Sequence, residues 1–297
     1  MTAKGISIVS PMRPFHGEIA TVQRNAVHSW LLSSPNSEVI LIDDEEQTTK
    51  NEKFGDRVRV ISTVDRSRLG APLLDSMLGE AAKYCTNSII AYITADVLLP
   101  PNIESVCEKL EELFVGKEFF AVCARYDILS PQTFDLSIPN WFSEVKQSVE
   151  RNGKFHGNSA ADLWIYPKTL DLKSPPFPIG RCGTDNWAIW AMKTRGIPVV
   201  DLTADLLIVH QWHPKYAQKS PLFYQEQLEC VNLWPNMPFD AMTCLDADFL
   251  LHDARLTAPR GLRGVHQRNR DSRLYRFLIG YYRRFRKPEL YTAGARS

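Results

Sequence analysis

Over the first two-thirds of the chain, short apolar runs alternate with longer stretches in which apolar residues recur every three or four positions. Residues 5–10 (GISIVS) predict a strand that Pro11 ends, 21–32 a helix, and 38–43 (EVILID) a second strand. Residues 57–62 (RVRVIS) alternate polar and apolar side chains, as an outer strand does. Leu73, Leu74, Met77, Leu78 and Ala81 share one face of a helix over 73–84. Residues 88–94 (SIIAYIT) read as a fully buried strand, and Pro100-Pro101-Asn102 opens a helix that runs to Phe114. Strands and helices in this alternation predict an α/β chain, with a mostly parallel central sheet and helices on both faces.

Beyond Phe120 the pattern loosens. Residues 119–125 and 162–166 predict strands and 141–151 a helix, and Pro175-Pro176-Phe177-Pro178 forms a rigid link. A helix follows over 184–195, with Thr184 as its N-cap and Gly196 just past its end. Short strands are expected at 197–202 and 206–210, and no internal repeat is visible.

A chain of 297 residues, 44% apolar, has enough material for one large core or two small ones and is neither disordered nor low-complexity. It holds no run near the ~18 apolar residues that span a bilayer, and residues 1–10 hold no apolar signal core. The expectation is a cytoplasmic protein. The six cysteines stand singly, with no C-x-x-C pair, and read as reduced thiols. The near-neutral net charge of +1 hides an asymmetry: residues 254–297 carry eleven arginines and one lysine against Asp271 and Glu289. An acidic body is followed by a basic tail.

Ligands of an open parallel sheet sit outside the carboxyl ends of its strands. The first strand ends in Ser10-Pro11-Met12-Arg13, the second in Asp43-Asp44-Glu45, and the strand at 88–94 in Thr94-Ala95-Asp96. Neither G-x-G-x-x-G nor G-x-x-x-x-G-K-[ST] follows the first strand, which disfavours a dinucleotide oxidoreductase or a P-loop phosphotransferase.

These strand ends, with the run Tyr92-Ile93-Thr94-Ala95-Asp96-Val97-Leu98-Leu99-Pro100, resemble a GT-A-type (Rossmann-like) nucleotide-diphosphosugar glycosyltransferase. Three downstream segments, Ala161–Pro167, Pro176–Trp187 and Val209–His213, are similar to the acceptor side of a bacterial, family 2-like group, and Leu251–Leu256 to its closing segment. The resemblance covers residues 5–262. It implies one GT-A domain over 1–262, with a nucleotide-sugar half (1–97) and an acceptor half (98–262), followed by a basic amphipathic tail (263–297). It also implies glycosyl transfer from a nucleotide-diphosphate sugar to a hydroxyl of a glycan or lipid-linked glycan.

The resemblance assigns Ser10, Pro11, Asp43, Asp44, Thr94 and Asp96 to the donor nucleotide. Such enzymes hold Mn2+ or Mg2+ on an Asp-x-Asp motif to offset the diphosphate charge. Here Thr94 occupies the first Asp position, which leaves Asp96 as the carboxylate ligand and His210 or His213 to complete the shell. Asp185 falls at the position of the inverting base, in the first turn of its helix, where the dipole favours its ionised form. Asp162, Trp164, Asn186 and Trp187 fall on the acceptor side, although alternation leaves open whether Trp164 faces a sugar or the core. His16, His28, His156, His252 and His266 have no ligand spacing.

Two rivals stand beside this reading. A sugar nucleotidyltransferase would need a glycine-rich loop after the first strand, which is missing. A catalytically degenerate GT-A domain, acting as a glycan-binding or assembly subunit, is kept open by Thr94. In the tail, residues 273–286 (RLYRFLIGYYRRFR) place Leu274, Phe277, Leu278, Tyr281 and Phe285 on one stripe among arginines, the pattern of a segment lying on an anionic membrane surface. Docking on the acidic body is the alternative, and nucleic acid is not the expected partner. The tail would make the protein peripheral at the inner face of the plasma membrane.

Overall fold

The computed structural model describes residues 5–43, 52–129, 134–181, 183–213, 221–234, 236, 240–269, 272 and 278. The arginine-rich stripe expected over 273–286 lies outside them apart from Leu278, as does Asp44. Among these described residues the main sheet has nine strands in the order β13-β12-β10-β6-β9-β4-β1-β2-β3. These are β1 (Ser7–Pro11), β2 (Glu38–Ile42), β3 (Val58–Ile61), β4 (Ile89–Ile93), β6 (Phe120–Cys123), β9 (Leu163–Pro167), β10 (Val199–Asp201), β12 (Phe249–His252) and β13 (Arg255–Thr257). The strand read as an outer one, β3, is at the edge. Only β9, between β4 and β6, and the closing hairpin strand β13 run against the rest.

Successive residues of the central strands feed opposite faces, as an α/β sheet requires. Ile40, Ile42, Ile90 and Tyr92 pack beneath α2 (Leu74–Tyr84) and α5 (Thr184–Thr194) through Leu74, Met77, Trp187 and Met192. Val39, Leu41, Ile89, Ala91 and Ile93 pack beneath α1 (Gly17–Ser33) and α3 (Ile103–Leu113) through Val27, Trp30, Val106 and Leu110. Helices therefore cover both faces, as the alternation predicted.

Residues 119–125, read as one strand, are two. After Cys123 the chain leaves the main sheet and enters a second one, ordered β5-β11-β7-β8. It comprises β5 (Val97–Leu98), β7 (Arg125–Ile128), β8 (Gly153–Phe155) and β11 (Ile208–His210). α4 (Trp141–Asn152) covers it, with Leu98, Ile128, Trp141, Phe142, Val145 and Val209 as a third core. This small sheet stands at the carboxyl ends of β4 and β6, and so brings residues far apart in sequence onto one rim.

α6 (Pro221–Leu233) and α7 (Gly261–Asn269) complete the helices of the described residues. No helix among these residues is long and apolar enough to cross a membrane. Cys85, Cys107, Cys123 and Cys244 are free and buried, whereas Cys230 is disulfide-bonded, which corrects the reading of six reduced thiols at that position.

Candidate active site

The rim forms where β4 ends and β9 begins. These strands are antiparallel with Ile93 opposite Leu163, so Thr94 follows one just where Asp162 precedes the other, and Thr94 N–H donates to the Asp162 carbonyl at 3.3 Å. Cys123 of β6 is also opposite Leu163, which brings Arg125 alongside. Arg125 Nη1 donates to Asp162 Oδ2 and its Nε to Asp127 Oδ1, both at 2.8 Å.

The second sheet supplies the imidazoles. β11 runs parallel to β7 with His210 in register with Asp127, and directly opposed side chains on one sheet face meet. His210 Nδ1 lies 3.3 Å from Asp127 Oδ1, and its Nε2 lies 3.4 Å from Asp96 Oδ2. His213 Nε2 is also 3.4 Å from Asp96 Oδ2, and the two rings meet edge to face with centroids 5.2 Å apart. Asp96, His210 and His213 thus present one ligand atom each, all within 4.8 Å of one another.

Gln211 locks this turn in place. Its backbone N–H donates to the Asp96 carbonyl at 2.9 Å, its Nε2 to the Val22 carbonyl of α1 at 2.9 Å, and its Oε1 accepts from Asn25 Nδ2 at 3.0 Å. Gln211→Leu would remove the side-chain partner of the Val22 carbonyl and of Asn25 Nδ2 and is expected to lower the unfolding free energy by about 1–3 kcal/mol. Urea titration checks this; an unchanged midpoint would mean the turn is held by other contacts.

The electrostatics divide the carboxylates. Burial would raise Asp96, yet hydrogen bonds from His210 and His213 outweigh it and hold the group well below its ordinary value. His210 moves the other way: burial disfavours its charge, but Asp127 and Asp96 prevail and push it up to about 9. Asp162 is raised, by burial first and then by the Asp96 charge, with Arg125 opposing.

Asp185 lies in the first turn of α5, after Gly183, which serves as N-cap in the left-handed region (φ 58°) in place of the expected Thr184. Its Oδ2 accepts from Ala161 N–H at 3.1 Å. Burial, reinforced by the Asp162 charge, pushes it up to about 6 against its backbone hydrogen bonds. The backbone N–H groups favour the ionised form, as expected at a helix terminus, but burial outweighs them. The charges of Asp162, Asp185 and Asp96 add to burial in raising the Tyr92 hydroxyl.

The other expected residues are distributed as follows. Ser10 and Pro11 end β1 and are buried; Asp43 follows β2, fully buried, with its N–H on the Ile61 carbonyl. Asn186 ties α5 to the Met242 carbonyl at 2.6 Å. Trp164 faces the core, 1% exposed, against Tyr92 and Phe120, with its indole N–H on the Ala161 carbonyl. Trp187 is buried against Phe177 and, with Trp190 and Trp234, lines a separate cavity of about 400 Å³.

Arg125 and Asp127 were not foreseen. Their signal was two opposite charges at i and i+2, which share a strand face, directly after an apolar run. His156 joins them, its Nδ1 lying 2.5 Å from Asp127 Oδ2.

A divalent cation fits this rim. Asp96 Oδ1 is buried without a hydrogen-bond partner, as are Thr94 Oγ1 and Ser10 Oγ at the neighbouring strand ends. One carboxylate and two imidazoles form a donor set that transition-metal dications accept.

Fold and rim together define an α/β protein with a cation-type ligand set and a half-buried, protonatable aspartate over the carboxyl ends of its parallel strands. No protein-family model matches the sequence, and no curated protein matches it. By structure the chain is similar to S. aureus TarS 1-349 in complex with UDP-GlcNAc, with 12% identity, 80% of this chain and 67% of that one covered, and a TM-score of 0.49. It is also similar to the mannosyltransferase PcManGT from Pyrobaculum calidifontis in complex with GDP-Man and Mn2+, with 11% identity, 96% and 75% covered, and a TM-score of 0.46. All of these scores are below 0.5, so any function rests on the site's own residues.

Proposed function

We propose that the protein is a GT-A glycosyltransferase that moves a sugar from a nucleotide-diphosphate donor to a hydroxyl acceptor with inversion. The observation that carries this reading is the pairing, on one rim, of the Asp96–His210–His213 set with Asp185 beyond Asp162. The sequence resemblance of residues 5–262 supports it independently.

Asp96, His210 and His213 would hold a divalent cation, for which their two imidazoles suit Mn2+ better than Mg2+, and which when bound offsets the diphosphate charge as the glycosidic bond breaks. Asp185 accepts the acceptor hydroxyl proton as that oxygen attacks the anomeric carbon and the bond to the diphosphate oxygen breaks. A carboxyl near 6 is suited to this, being ionised at neutral pH yet basic enough to take the proton. Because the base must be deprotonated, kcat/KM is expected to rise with pH through about 6; a flat profile between pH 5 and 7 would argue against Asp185 as base.

The donor test is calorimetry with UDP, GDP, dTDP and CMP, each with and without Mn2+. Tight binding of one nucleotide that weakens on chelation is expected. No binding by a folded sample would favour the degenerate-domain reading, to which Thr94 gives its support.

For the acceptor side we propose a glycan or lipid-linked glycan, with the arginine-rich tail on an anionic membrane surface. Each cation adds roughly 1 kcal/mol near such a surface, and salt screens it. Cosedimentation with anionic vesicles that fails to weaken as salt is raised would contradict the attachment.

A further inference from the structure

Asp127 belongs to neither the ligand set nor the base, yet it makes three charged contacts. One oxygen meets His210 Nδ1 and Arg125 Nε, and the other meets His156 Nδ1. Arg125 continues the chain of contacts to Asp162. The in-register pairing of β7 and β11 fixes the Asp127–His210 contact through the backbone, so it does not depend on a chance rotamer.

An imidazole can ligate through either nitrogen, and the partner of one nitrogen decides which is left for the metal. A carboxylate accepting Nδ1–H orients the ring so that Nε2 points away from it. In this protein Nε2 then points to Asp96 Oδ2, where His213 Nε2 also converges. From this juxtaposition we propose that Asp127 is a positioning residue, which holds His210 with Nδ1 as donor and commits Nε2 to the cation beside Asp96. The proposal rests on the cation reading given above.

Asp127 also sets the balance of charge. With Arg125 between Asp127 and Asp162, the guanidinium offsets two carboxylates at the edge of the ligand set without entering it. Arg125 would thus allow Asp127 to sit against the imidazole while limiting the negative charge of the rim.

Calorimetric titration of the metal-free full chain with Mn2+, without nucleotide, tests this directly. Asp127→Ala is expected to weaken Mn2+ binding by about 10- to 100-fold, the range for removing the hydrogen-bond partner of a ligating histidine. Asp127→Asn, which keeps an acceptor for Nδ1–H and the side-chain shape, is expected to lose less, and it serves where the alanine variant folds poorly. His156→Ala removes the other imidazole from Asp127 and is expected to leave Mn2+ affinity within about 2-fold of the wild type. A residue serving only as structural glue would lower the melting temperature without this ordering of affinities. Unchanged Mn2+ binding by folded Asp127→Ala, in a wild type that binds Mn2+, would overturn the role of Asp127 alone. A folded wild type that binds no Mn2+ would overturn the cation reading and this proposal together.

Discussion

Asp185→Asn is expected to lower glycosyl transfer by about 10²- to 10⁴-fold and, at neutral pH, to make the protein more stable. The first effect follows from losing the proton acceptor while the side chain keeps its shape. The second follows from linkage. The Asp185 carboxyl is raised from 3.8 to about 6, so between those values the folded protein binds a proton that the unfolded chain does not. Stability therefore falls as pH rises through this window, and above it the folded state carries the whole penalty of a buried anion. At ~1.4 kcal/mol per pKa unit, that penalty is on the order of 2–3 kcal/mol. Asparagine has no charge to bury and can still accept from Ala161 N–H, so a gain of about 1–3 kcal/mol is expected at pH 7.5, shrinking toward zero near pH 4. Urea unfolding of both proteins at the two pH values, with a product assay at pH 7.5, checks both effects. A variant as active as the wild type would remove Asp185 from the chemistry. One that is inactive and less stable at pH 7.5 would mean that its hydrogen bonds, rather than its desolvation, dominate.

Asp96→Asn should act in the opposite sense on stability and as strongly on ligand binding. Its carboxylate is held well below the ordinary value by His210 and His213, so the stability it contributes is present above that ordinary value and is lost as pH falls through the folded one. Substitution is expected to destabilise the fold at neutral pH, by on the order of 1–3 kcal/mol, since it removes the charge that strengthens the bonds from both imidazoles. It should also reduce Mn2+-dependent nucleotide binding by at least about 100-fold, beyond the loss expected for an outer partner of a ligand. Chelation of the wild type should reproduce the binding defect but not the loss of stability at high pH. Calorimetry and thermal melts separate the two. Wild-type nucleotide affinity in Asp96→Asn would shift the neutralisation of the diphosphate to other cationic groups.

These variants also bear on the division of labour along the rim. Asp96 and Asp185 are both half-buried aspartates near Asp162, yet one is driven down and the other up. The difference is the company each keeps: two imidazoles for Asp96, but backbone N–H groups and a neighbouring anion for Asp185. A carboxylate kept ionised suits a ligand for a cation, and one poised near neutral pH suits proton transfer.

The class of the fold is legible in the chain's own pattern. Alternating apolar runs and helical stripes set β1, β2, β4 and their helices, because burial on both faces of a parallel sheet writes a local, readable pattern. The same pattern also marked Asp96, since a polar residue that follows an apolar strand falls on the rim of such a sheet, whereas Asp185, His210 and His213 were pointed to by the family resemblance of the sequence. What the sequence left undetermined is decided by pairing across long separations. The break after Cys123 into a second sheet, the register that sets Asp127 against His210, and the approach of Arg125 to Asp162 have no local signature. The inward face of Trp164 depended likewise on which neighbours β9 has, and the raised Asp185 on burial that only the packed core supplies. Periodicity records how each segment meets a core, whereas the charges that tune a site come from segments whose proximity exists only after folding.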